Sequence, residues 1–201
     1  MKSLYLSAAF LAASVSQVAW GQNAISFDFG FYQYEFADGA GDLEWANLGV
    51  ARLGVEIPLG ERGALHPSLG FISGGSDNGP FFDIWEALFE AIFSIETDSV
   101  EDARGTILGL TYAYDLTEGD RFDLNALIDL SLAEIKATRA VSGEQDYSTR
   151  DFGLGAELVW TLDPSLALSS QIVFHTGQAD REAGTLSSDG YRLMTGLSYK
   201  F

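Results

Sequence analysis

The chain has no cysteine, so no disulfide holds it. For an exported domain this leaves backbone pairing and packing to hold the fold. Cations are scarce, 11 Lys and Arg against 29 Asp and Glu, for a net charge of −18. Nucleic acid is thereby excluded as a partner, because binding it requires clustered Lys and Arg that neutralise phosphates. The acidity suits solubility in salty surroundings and offers anionic lipid no attraction unless divalent cations bridge the charges. After residue 21 no apolar run is long enough for a membrane helix, so a spanning structure would have to be built of strands. No metal motif is present, and Gly74-Gly75 lacks the strand-to-helix setting and the lysine of a phosphate loop. The acidic groups Asp77, Asp98, Glu101, Asp102, Asp180 and Glu182 read as a solvated rim ahead of a weak Ca²⁺ or Mg²⁺ site. No metal and no cofactor is predicted.

What is present begins with MKSLYLSAAFLAASVSQVAWG: one early cation, Lys2, an apolar stretch from Leu4 to Val15, and Ala19-Trp20-Gly21 before Gln22. This pattern predicts a secretory signal peptide over residues 1–21. Ser7, Ser14, Ser16 and Gln17 interrupt the run, which argues against a membrane anchor. Residues 22–201 are then one exported domain.

Period-two alternation dominates that domain. In AISFDFGFYQYEF, Ile25, Phe27, Phe29 and Phe31 oppose Ser26, Asp28, Gly30 and Tyr32. Seven further runs follow, WANLGVARLGVEI, ALHPSLGFIS, TILGLTYAYD, RFDLNALIDLSLAEI, DFGLGAELVW, LALSSQIVFH and YRLMTGLSYKF. Pro67 makes pairing in the third run irregular. Eight strands of roughly ten residues are the length a tilted strand needs to cross a bilayer. Connections after the second, fourth and sixth runs are short (PLGERG, LTEGD, LDPS), and the others are generally longer, with Gly74 to Ala103 by far the longest. Such alternation corresponds to periplasmic turns and extracellular loops.

A soluble antiparallel sandwich shares this pattern. Glycines on the polar faces (Gly30, Gly54, Gly70, Gly109, Gly153, Gly155, Gly196) suit the narrow interior of a small barrel instead. Trp45, Tyr114, Phe122, Trp160, Tyr191 and Tyr199 mark strand ends on the apolar face, as interfacial girdles do. The fold class is therefore all-β, an eight-stranded antiparallel up-and-down transmembrane barrel.

The chain closes with Tyr199-Lys200-Phe201 after Tyr191, Leu193, Thr195 and Leu197 at every second position. This resembles the C-terminal signal strand of bacterial outer-membrane β-barrel proteins. The resemblance implies that Tyr199 and Phe201 are read by the barrel-assembly machinery, and it places the chain in the outer membrane of a Gram-negative envelope. In strand count and loop alternation the whole mature chain resembles the small eight-stranded group that includes the OmpA transmembrane domain, OmpX, PagP and PagL. Outer-membrane lipid and lipopolysaccharide are the partners this implies.

An eight-stranded barrel is just wide enough for its side chains to fill. Asp28, Arg52, Glu56, His66, Asp123, Asp129, Glu157, Arg192 and Lys200 point inward by parity and form a candidate lumen charge network. A first hairpin centred near Ala40 sets Asp28 opposite Arg52 as an ion pair. A lumen plugged by these charges is favoured over a narrow ion path. The resemblance to lipid A-modifying barrels makes His175 the candidate catalytic residue, with Ser187, Ser188 and Asp189 on the adjacent segment. However, Gly177 occupies the place of the deacylase serine, and His175 reads better as a lumen residue. His66 falls near the periplasmic end.

One segment breaks the strand pattern. From Pro80 to Ile95, Asp83, Glu86 and Glu90 recur at three- and four-residue steps, while Phe81, Trp85, Leu88, Phe89 and Ile92 fill the apolar side. This predicts an amphipathic helix of about 24 Å in the second extracellular loop. It packs on the outer-leaflet interface or rim, folds over the mouth, or anchors an extracellular protein partner. The function read from all of this is an integral outer-membrane protein with a structural or surface-interaction role. An outer-leaflet lipid-modifying enzyme and a narrow channel are the alternatives.

Overall fold

The computed structural model describes residues 23–37, 43–75, 100–117, 119, 121–139 and 143–201. The expected signal peptide and the expected helix of residues 80–95, with Phe81, Trp85, Leu88, Phe89 and Ile92, lie outside the described residues. Eight strands follow one another: β1 (Ala24–Ala37), β2 (Leu43–Pro58), β3 (Gly63–Gly75), β4 (Val100–Thr117), β5 (Phe122–Arg139), β6 (Gly143–Asp163), β7 (Leu166–Arg181) and β8 (Gly184–Lys200). Each pairs antiparallel with its sequence neighbour, and β8 returns to β1 to close the ring. Closure removes every sheet edge along the paired region, which an open sheet of this size would leave to aggregate.

The direction of the faces decides barrel against sandwich. Phe27, Leu53, Phe71, Ile128 and Leu154 are 46–66% exposed, whereas Asp28, Arg52, Asp129 and Arg192 are at most 5% exposed. A sandwich in water would bury the first set and expose the second. Here the apolar faces point outward and the polar faces point into the lumen.

On β5 the outward residues run Phe122, Leu124, Ala126, Ile128, Leu130, Leu132. Ten residue steps cover about 33 Å along the strand, or roughly 25 Å of height at a tilt near 40°, which matches a bilayer's hydrocarbon layer. Aromatic side chains edge this belt. Phe122 and Trp160 stack at 5.7 Å beside the end that carries the termini, and Phe174 and Tyr191 meet at 6.5 Å on the opposite edge.

Beyond Leu132 the polarity inverts while the period holds. Ala133, Ile135 and Ala137 turn inward and buried; Glu134, Lys136 and Thr138 face solvent. The strands therefore continue past the belt and reach 13 to 21 residues, longer than the ten expected. Two connections expected to be longer are short in residue count: three residues separate β5 from β6, and Glu182–Ala183 separate β7 from β8, where Gly184 takes φ +134. Only the 76–99 connection keeps the expected great length. The emergent outer face carries exposed ion pairs, Lys136 with Glu144 and Asp146 at 3.7 and 3.4 Å, and Arg150 with Asp180. Exposed pairs of this kind contribute little stability. The Thr185 hydroxyl, and after it Arg150, hold the Asp180 carboxyl below its ordinary range.

Pro67 acts as expected. β2 and β3 pair through Gly54–Ser68 and again at Ile57–Leu65, with Val55 and Glu56 left unpaired against His66 and Pro67.

Candidate functional site

The lumen holds the buried polar side chains, and they form three tiers. The first tier lies nearest the chain termini. Asp28 and Arg52 are register partners, as the hairpin arithmetic predicted. Their side chains are engaged elsewhere, however: the Arg52 guanidinium donates to Gln171 Oε1 at 3.4 Å, and Asp28 Oδ2 accepts from the Ser26 hydroxyl at 3.3 Å. Glu157 accepts from Asn125 Nδ2 and Gln171 Nε2, both at 2.9 Å. Glycines make room for these groups. A Cβ on Gly196 would sit 1.9 Å from Asp28 Oδ1, and one on Gly70 would sit 2.6 Å from Arg52 Cγ.

The second tier is one ion pair. Arg192 on β8 reaches across to Asp129 on β5 with two parallel bonds, Nη1 to Oδ2 and Nη2 to Oδ1, each 2.7 Å. Nη1 also donates to the Tyr32 hydroxyl at 2.8 Å, and the guanidinium lies 5.6 Å from the centre of that ring. Thr111 Oγ1 donates to Asp129 Oδ1 at 2.5 Å. Bidentate geometry with further donors on the same carboxylate is what allows two charges to remain out of water. Both residues were in the expected network, but their pairing joins strands far apart in sequence.

The third tier is mostly apolar. Tyr32, Tyr34 and Phe36 project inward at alternate strand positions and stack at 5.7 and 5.3 Å, and Phe36 continues onto Tyr147 at 5.3 Å. Leu48, Val50, Ile72, Ile107, Leu186 and Met194 fill the space around them. Each aromatic pair contributes about 0.5–1.5 kcal/mol beyond area burial. Set within this packing, Asp151 accepts from the Ser188 hydroxyl at 2.5 Å and from the Tyr34 hydroxyl at 3.2 Å.

His175 is buried beside Tyr34 and Tyr32, at 4.7 and 5.8 Å between ring centres, and neither ring nitrogen meets a hydrogen-bond partner of good geometry. Ser187 and Asp189 face outward, and Ser188 points inward but donates to Asp151. Among the described residues, then, no serine hydroxyl is engaged with His175. The packing around the ring gives a direct test. A Cβ at Gly190 would lie 1.9 Å from the Gln33 carbonyl oxygen and 3.0 Å from His175 Cε1. Gly190→Ala must therefore part β8 from β1 at the closing seam, an overpacking expected to destabilise by about 1–3 kcal/mol. Denaturant unfolding in micelles, followed by tryptophan fluorescence, measures it; an unchanged midpoint would show that the seam is looser than this.

The remaining expected residues are dispersed. Glu56 and His66 are half-buried at the mouth on the terminus side. Two depart from the network expected of them. Asp123 Oδ1 accepts from the Gly119 amide at 3.1 Å and so caps the β4–β5 turn. Lys200 is exposed at the end of β8. Tyr199 and Phe201 are exposed on the same end, and the Phe201 amide donates to the Asn23 carbonyl at 3.1 Å. The expected lumen network leaves out Tyr34, Phe36, Thr111 and Asp151, and Ser188 is expected only as a neighbour of His175. Their signal was parity alone: Asp151 shares the face of Gly153 and Glu157, and Tyr34 and Phe36 continue that of Asp28.

Comparison by sequence finds no matching protein family and no similar curated protein. Comparison by structure finds Neisserial surface protein A at a TM-score of 0.58 and 12% identity, covering 90% of this chain and 99% of that one. The outer membrane protein AlkL, solved in lipid bilayers, matches at a TM-score of 0.51 and 16% identity, covering 92% of each chain. The fold is that of these small eight-stranded outer-membrane barrels.

Proposed function

We propose that this chain is an integral outer-membrane protein whose described lumen is closed by its own side chains, and that its role is structural or one of surface contact. The observation that carries this reading is the outward apolar belt with the inversion of polarity above it. Lipid is the solvent that stabilises Phe27, Leu53, Phe71 and Leu154 facing outward, and water is the solvent that suits Glu134, Lys136 and Asp146 beyond them. The closed lumen is supported by the Arg192–Asp129 pair below a packed aromatic column. Two structural neighbours are named as a surface protein and an outer membrane protein, which agrees with this placement.

The test is fractionation of cells expressing the full chain, joined to planar-bilayer recording of the purified protein. The expected result is a heat-modifiable barrel in the outer membrane and no steady conductance. Recovery in the soluble periplasmic fraction would end the membrane reading, and a steady current would end the closed-lumen reading. Removal of Phe201 is expected to leave the larger part of the chain unfolded and outside the outer membrane, because the terminal aromatic is the proposed assembly signal. Gel mobility before and after heating measures the folded fraction. Mass spectrometry of lipid A from cells with and without the chain is expected to give identical acyl patterns, and a changed pattern would overturn the non-enzymatic role.

A further inference from the structure

The tier nearest the termini contains donors that the protein itself leaves unanswered. Arg52 is 3% exposed, yet its Nε and Nη1 find no protein acceptor, and the Ser68 hydroxyl, 6% exposed, likewise has none. Both line a cavity shared with Ser26, Asp28, His66 and Glu157. Gly109 keeps it open: a Cβ there would lie 2.6 Å from Ser68 Oγ and 3.4 Å from Arg52 Nη1. Buried guanidinium donors are met by protein or by ordered water. A polar cavity whose walls offer several donors and acceptors takes up water, whereas an apolar one stays dry.

We infer that the barrel is a blind half-channel: a narrow, cation-favouring passage with room for single waters enters from the terminus side, bridges Arg52 to Asp28 by water, and stops at the Arg192–Asp129 pair. The stop has two parts. The bidentate pair occupies the lumen in cross-section, and immediately beyond it Tyr32, Val50, Ile107 and Met194 are at most 3% exposed and offer water little to bond to. The preference for cations follows from the walls. Asp28 and Glu157 outnumber Arg52 within the cavity, and Glu56 adds a third carboxylate at the mouth. Protons and water-sized cations are therefore favoured there over anions. The inference depends on closure of the barrel and not on the membrane it occupies, so it fails separately from the proposed localisation.

The natural absence of cysteine makes single-cysteine variants clean reporters. Ser68→Cys in the folded, detergent-solubilised full chain is expected to react with silver ion, read as thiol loss and mass gain. Ile107→Cys, above the pair, is expected to stay unreactive until the chain is unfolded. At Ser26→Cys a cationic methanethiosulfonate is expected to react about tenfold faster than an anionic one. A silent Ser68→Cys would remove the passage, an Ile107→Cys as reactive as Ser68→Cys would remove the blind end, and a faster anionic reagent would remove the charge preference. Should a variant not fold, magnetisation transfer from water in the unsubstituted protein decides the matter. It must reach the Arg52 guanidinium and leave the Val50 and Ile107 methyls untouched; the reverse overturns the inference.

Discussion

Asp129→Leu is expected to lower the unfolding free energy by about 3–5 kcal/mol, because it strands the Arg192 guanidinium in the lumen. Asp129 accepts both parallel bonds from Arg192, and both residues are 1% exposed. After its loss, the Tyr32 hydroxyl and ring are the contacts that remain to Arg192 from the pair's surroundings. Neither neutralises a charge. Combining Asp129→Leu with Arg192→Met removes the charge together with its partner, and the double variant is expected to recover most of the loss. Replacing a buried pair with apolar residues of similar volume is often neutral or stabilising. The recovery is the informative quantity, since it separates the penalty of an orphaned charge from the net worth of the pair. Guanidinium unfolding in micelles measures both variants against the parent. A single variant that costs under about 1 kcal/mol, within the range of an exposed pair, would mean that Arg192 reaches water.

The second large effect lies on the outside of the same strand. Ile128 sits at the middle of the outward belt on β5, 46% exposed, and Ile128→Arg is expected to cost about 2–4 kcal/mol in a bilayer. Glu134→Arg, six residues along on the same face and past the inversion of polarity, is expected to change stability by no more than about 0.5 kcal/mol. Position along the strand is thus predicted to matter more than the chemistry of the substitution. Unfolding in lipid vesicles compares the two, and equal costs would place the belt outside the hydrocarbon.

Much of this architecture was legible because a strand's side chains alternate with a period that does not drift. Alternation in AISFDFGF and in FDLNALIDL was enough to sort Phe27 from Asp28 and Ile128 from Asp129, and the centre of the first hairpin was enough to align Asp28 with Arg52. Strand ends were less legible. The apolar-out pattern stops at Leu132 and the expected fifth run ends at Ile135, although the strand continues to Arg139 and Ala133, Ile135 and Ala137 all face the lumen. What changes there is the surrounding solvent, lipid giving way to water, while the strand itself continues.

By itself, then, the sequence determined eight strands, their faces, their antiparallel order and the irregularity at Pro67, all of which are local consequences of period, turn residues and a missing amide. Only the tertiary structure decided which lumen charges meet. Asp28 turns to Ser26, Arg52 to Gln171, and Arg192 to Asp129, 63 residues away. Closing the ring brings β5 and β8 within reach of each other across the interior, and a contact across a closed circle leaves no trace in the pairing of neighbours. The last step of the aromatic column, from Phe36 on β1 to Tyr147 on β6, arises in the same way, whereas Tyr32, Tyr34 and Phe36 follow one another along a single strand.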